Sequence, residues 1–90
     1  MDILEDIILN YYLITFKNTH TAISSEKVLK EKGIEATVMP TPTSITKSCG
    51  ISIRISPDDF QIVSNLIKEN AFEAGSVFIK KESGYELIEL

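Results

Sequence analysis

The segment Ile51-Ser52-Ile53-Arg54-Ile55-Ser56-Pro57-Asp58-Asp59 decides how the chain is read. Its first five residues alternate isoleucine with a polar side chain, the period of two that sends neighbouring residues to opposite faces of a strand. The isoleucines are expected on the core face, with Ser52 and Arg54 facing away. The next four residues form a helix start: a hydroxyl at the N-cap, proline at the first helical position, and acids in the first turn, where the helix dipole favours them. Phe60, Val63, Leu66 and Ile67 then recur on one face, which predicts an amphipathic helix to about Asn70.

Toward the N-terminus, Glu35 to Met39 reads as another strand, closed by Pro40 and prevented by Pro42 from continuing as a central one. A polar loop over 41–50 joins it to Ile51. Before that strand, Asn18 or Thr19 caps a helix running to about Lys32, with Ala22, Val28 and Leu29 toward the core. Gly33 is placed to stop it, which puts Ile34 and Leu29 at the two positions that usually make the apolar contact of that stop. Tyr11 to Phe16, aromatic and β-branched, is the first strand. Residues 1–10 carry Ile3, Leu4, Ile7 and Ile8 at helical spacing with Asp2, Glu5 and Asp6, a segment too short to hold a helix alone. Toward the C-terminus, Ser76 to Lys81 and Tyr85 to Leu90 are short alternating stretches around Glu82, Ser83 and Gly84, a hairpin pattern.

The element order is therefore β-α-β-β-α-β with one extra strand, which predicts an α+β fold, a ferredoxin-like two-layer sandwich, over residues 11–90. A two-helix α+β sheet with another strand order is the rival. Ninety residues and 10.1 kDa leave room for one domain. Apolar residues at 43% and charged residues at 24% give an ordinary globular mixture that should bury a core.

A net charge of -4 opposes the phosphate attraction on which nucleic-acid binding depends, and the third strand lacks the stacking aromatics of RNA-recognition sheets. No nucleic-acid partner is expected. The acidic N-terminus is unlike an export signal, and no apolar run approaches the roughly 18 residues that span a bilayer, so a membrane role is not expected either. A lone cysteine cannot close an intramolecular disulfide, which suits a reducing cytoplasm. One cysteine and one histidine cannot complete a structural zinc site, and no phosphate loop or catalytic triad is legible. No cofactor is expected, and a stand-alone enzyme is not indicated.

In the expected topology the first and third strands are central antiparallel neighbours. The first strand then ends at the edge where the second finishes and the third begins, which sets 41–50 beside the start of the first helix. Cys49 would lie near Lys17, Asn18, Thr19 and His20. Unpaired amides and the positive end of the helix dipole both favour a thiolate, the reactive form of cysteine. Lys17 and Lys47 add positive charge, Gly50 lets the backbone bend beside the sulfur, and Thr41, Thr43, Ser44, Thr46 and Ser48 supply hydroxyls. A neutral His20 could accept the thiol proton. These residues also read plainly: a free cysteine commonly packs as a small inert side chain, and hydroxyl-rich loops are ordinary turn chemistry.

The run Tyr12-Leu13-Ile14-Thr15-Phe16, then Thr19-His20, Leu29-Lys30-Glu31-Lys32-Gly33-Ile34, Pro40-Thr41-Pro42 and Ser48-Cys49-Gly50-Ile51, resembles the sulfur/selenium carrier-like family, a small bacterial and archaeal family formerly of unknown function. The resemblance spans roughly Tyr11 to Lys81. It implies a small cytoplasmic α/β protein with Cys49 as a carrier thiol that takes a sulfur or selenium atom from a donor protein and passes it to an acceptor. The other reading is a regulatory or interaction module that holds a small anion at the same loop without covalent chemistry. Tyr11, Leu13 and Thr15 alternate onto the face opposite the core, which favours a homodimer that covers them.

Overall fold

A computed structural model describes residues 11–45 and 50–88. The expectations for residues 1–10, for Thr46, Lys47, Ser48 and Cys49, and for the last two residues of the hairpin lie outside the described residues. The elements run β1 (Tyr12–Thr15), α1 (Thr19–Glu31), β2 (Ala36–Pro40), β3 (Ile51–Ile55), a 3-10 turn (Pro57–Asp59) leading into α2 (Phe60–Lys68), β4 (Val77–Lys81) and β5 (Gly84–Ile88). The fold is α+β, with a five-stranded antiparallel sheet in the order β2-β3-β1-β4-β5 and two helices. It differs from a bare four-stranded ferredoxin-like sandwich by the strand β5, which lies along the outer edge of β4.

Local chemistry accounts for the element ends. Asn18 is the N-cap of α1; its side-chain oxygen accepts the Thr21 N–H at 2.8 Å and the Thr21 hydroxyl at 2.9 Å. At the other end Gly33 has φ +78°, its N–H bonds to the Lys30 carbonyl at 3.0 Å, and the Ile34 N–H reaches the Leu29 carbonyl at 3.0 Å. Those two bonds define the stop predicted at Gly33. Helix α2 ends the same way at Asn70, the residue at which the sequence pattern places its end. Asn70 adopts φ 61°, its N–H bonds to Ile67, and the Ala71 N–H bonds to Leu66 at 2.9 Å. Asparagine tolerates this left-handed conformation better than most side chains.

Both helices cover one face of the sheet. The core there is Ile14, Ile53, Ile55, Ala36 and Val77 from the strands, with Phe16, Ala22, Leu29, Ile34, Val63, Leu66 and Phe72 packed against them. Tyr12 stacks on Phe60 with ring centroids 4.0 Å apart. Each of the larger aliphatic side chains contributes roughly 1.5–3 kcal/mol by leaving water.

The opposite face departs from expectation. Leu13, Thr15 and Ser52 alternate away from the helices and are buried all the same, at 0%, 3% and 0% exposure. Ser52 was expected to face solvent; its hydroxyl is instead satisfied by Thr41 Oγ1 at 2.6 Å, and a paired hydroxyl can be buried without a large penalty. Lys80 Nζ lies 5.1 Å from the Tyr85 ring centroid, and Lys81 pairs with Glu86 at 3.1 Å. The burial that self-association would supply to Leu13 and Thr15 is already present in the single chain.

Candidate functional site

Antiparallel pairing sets the positions. Thr15 of β1 faces Ser52 of β3, and Pro40 of β2 faces Ile51 of β3. The end of β1, the end of β2 and the start of β3 therefore share one rim. Beyond the last pair, the Thr41 N–H donates to the Gly50 carbonyl at 3.0 Å. The start of β4 reaches the same rim: the Gly75 N–H bonds to the Thr15 carbonyl at 2.7 Å, and the Thr15 N–H to the Ser76 carbonyl at 2.8 Å. Helix α1 leaves from this rim through Phe16, Lys17 and Asn18.

Of the residues singled out by sequence, Lys17, Thr19, His20 and Gly50 are described, and all four are exposed. Thr19 and His20 open the first turn of α1. His20 also lines a shallow surface cavity of about 230 Å³ with Thr21, Ser24, Ser25, Ala71 and Glu73. Gly50 sits at the mouth of β3. Among the loop hydroxyls, Thr41 is engaged with Ser52, while Thr43 and Ser44 are exposed. Ile45 is buried, and its N–H closes a turn onto the Pro42 carbonyl at 3.0 Å. Lys47, Ser48 and Cys49 are outside the described residues. The rim thus joins the residue after Cys49 to the strand from which α1 departs.

A second cluster was not anticipated. On the face away from the helices, Tyr11 and Tyr85 share a hydroxyl-to-hydroxyl hydrogen bond at 2.6 Å although 74 positions separate them. Their rings meet edge to face at 6.3 Å, and the Arg54 guanidinium carbon lies 5.4 Å from the Tyr11 ring centroid. Burial holds the Tyr85 hydroxyl well above the usual phenol range; the hydrogen bond and the charge of Tyr11 act in the same sense, and Arg54 opposes them. An arginine in the middle of a strand was the available sequence signal. The pairing of the two tyrosines depends on β5 lying beside β4, and alternation within one strand does not carry that.

Among the described residues no group of histidine, cysteine, aspartate and glutamate is arranged to hold a metal ion, and no helix is long and apolar enough to cross a membrane.

What the fold and rim define is a small α+β domain whose strand ends converge on the start of one helix. The chain belongs to the family described as "Putative Se/S carrier protein-like", whose profile matches residues 11–79. The match begins one residue before β1 and ends inside β4, so β5 lies outside it. No curated protein and no solved structure matches the chain.

Proposed function

We propose that this protein is a thiol-based sulfur or selenium relay that uses Cys49. In sulfur form, the Cys49 thiolate attacks the outer sulfur of a donor persulfide. A new S–S bond forms as the donor's S–S bond breaks, and the donor thiolate leaves with the electron pair. An acceptor thiolate then attacks the outer sulfur on Cys49 and releases the Cys49 thiolate, so no external oxidant or reductant enters. The selenium form follows the same bond changes with a donor carrying a perselenide-type Se atom.

The observation that carries this reading is the family match across residues 11–79, a span that contains the only cysteine of the chain. Supporting it, Gly50 lies at the rim from which the Asn18-capped helix departs, and the surface there offers Lys17 and His20 as cationic and proton-accepting groups. Lys47, Ser48 and Thr19 complete the proposed binding environment. The same reading takes the β2-β3-β1-β4 portion as ferredoxin-like, the setting as cytoplasmic, and the partners as a donor protein and an acceptor protein.

The test is intact-mass analysis of the full chain purified without reductant. Wild type is expected to carry added sulfur or selenium that reductant removes and that Cys49→Ser lacks. Alkylation of Cys49 is expected to reach half its maximal rate below the pH of about 8.5 typical of a free thiol. No added mass together with an ordinary alkylation profile would overturn the proposal.

A further inference from the structure

Arg54 is a half-buried cation in a central strand, and among the described residues it takes part in no ion pair; those that form are Lys30–Glu26 and Lys81–Glu86. A cation so placed is normally compensated by an acid, because removing charge from water is unfavourable. Here its nearest organising contact is the Tyr11 ring. The guanidinium carbon lies 5.4 Å from the Tyr11 centroid, and among the described residues no acceptor engages its N–H groups, so its planar fork is available to grip a carboxylate through two bonds. Tyr11 is itself held by the hydroxyl bond to Tyr85, so the platform under Arg54 is fixed.

Arg54 borders a surface cavity of about 200 Å³ lined also by Glu35, Thr37 and Ser56. Its size is below the roughly 300–1,000 Å³ usual for drug-sized ligands, which limits an occupant to a few heavy atoms. Thr37 is the direct cross-strand partner of Arg54 and adds a hydroxyl. Ser56 accepts the Asp58 N–H through its oxygen at 3.2 Å, which leaves its own O–H available as a donor beside the cavity. Glu35, exposed at the edge, is not paired with Arg54 despite lining the same space.

A simple anion would gain Arg54 but meet Glu35 and a chain of net charge -4; a simple cation would gain Glu35 but meet Arg54. We infer that the cavity binds a small zwitterion, an α-amino acid, with its carboxylate on the Arg54 fork and its ammonium group on Glu35. The site lies at the opposite end of β3 from Gly50, four residues along the strand, and stands independently of the thiol reading.

The experiment is an amide NMR titration of the full chain at neutral pH with three probes: L-alanine, acetate and ethylammonium. L-Alanine is expected to shift the amides of Thr37, Arg54 and Ser56 saturably, with both single-charge probes weaker. Arg54→Gln is expected to weaken alanine binding by about tenfold or more, the effect of losing a charge-assisted pair of bonds. Glu35→Gln, an exposed change that leaves the core untouched, is expected to weaken alanine binding and strengthen acetate binding. If Arg54→Gln loses the wild-type spectrum, the Glu35→Gln comparison decides. Acetate binding as tightly as alanine, no saturable shift with alanine, or an unchanged preference in Glu35→Gln each overturns the inference.

Discussion

Adjacent residues of β3 face two different environments. Ile53 and Ile55 point into the helix-covered side, where burial is aliphatic and the partners are interchangeable in kind. Ser52 and Arg54 point the other way, into a side where burial depends on named partners: Thr41 for Ser52, Tyr11 for Arg54. The first side depends on filled volume and shape more than on particular partners, since hydrophobic attraction has no direction. The second tolerates few changes of chemistry, since a polar group taken from water is stable there only while its partner remains. The helix side is therefore held by aliphatic burial, whereas the other side adds to its own buried Leu13 a set of polar groups able to recognise something small.

The largest expected effect tests the first side. Ile53→Ala removes a fully buried side chain from the middle of the sheet and is expected to lower unfolding free energy by about 2–5 kcal/mol, the usual range for truncating a core isoleucine. Urea denaturation with an unchanged slope would report it. A loss below about 1 kcal/mol would mean the helix side is loosely packed.

Gly75→Ala comes next and probes the rim that joins the two sides. A Cβ at position 75 would lie 3.0 Å from the Thr15 carbonyl oxygen and 3.3 Å from its carbon, both backbone atoms that cannot swing aside. The Gly75 N–H also bonds to that same carbonyl, so relief of the clash weakens a rim hydrogen bond. A loss of about 1–3 kcal/mol is expected, as for other overpacked sites. Amide exchange at Gly75 and Thr15 should accelerate with it. Unchanged exchange and unchanged stability would show that the β1 and β4 ends can separate freely.

Ser52→Ala provides the contrast with Ile53→Ala one residue away. Removing one hydroxyl of the Thr41 pair is expected to lower stability by about 1 kcal/mol. Repeated in a Thr41→Val background, the same change should have a smaller effect, since the partner is already gone. An equal effect in both backgrounds would mean that Ser52 acts through its packing and not through this bond.

What the sequence could and could not convey follows the same division. The stop at Gly33 was legible because the αL glycine and its Leu29–Ile34 neighbours lie within one turn of chain. The start at Ser56-Pro57 was legible for the same reason, and the Ser56 oxygen does cap Asp58. The end near Asn70 was legible from where the apolar periodicity stops, although the left-handed conformation that makes the stop was not. The burial of Ser52 was not legible, because alternation sorts residues by polarity and says nothing of a hydroxyl partner 11 positions away, just beyond the end of β2. Likewise Arg54 reads as a solvent-facing residue until strand order sets Tyr11 and Tyr85 together. Of the candidate rim, the topology placed Gly50 at the edge shared by the ends of β1 and β2, as the element order implied.

The smallest effect is the one that depends on pH, and it belongs wholly to the recognising face. The Tyr85 hydroxyl, ordinarily near 10.0, is raised first by burial and then by its bond to Tyr11. A raised value in the folded state means that the native chain holds this proton more tightly than the unfolded chain does. The resulting stability is fully present below pH 10 and is lost progressively as pH rises from there toward the folded value. Tyr85→Phe deletes the proton, so its stability should fall less steeply above pH 10 than that of wild type, while near pH 7 the two should differ by no more than about 1 kcal/mol. Denaturation curves for both proteins at neutral and alkaline pH test this, and lysine titration, common to both, cancels in the difference. Parallel alkaline declines would show that Tyr85 keeps an ordinary proton affinity, and would loosen the platform on which Arg54 is held.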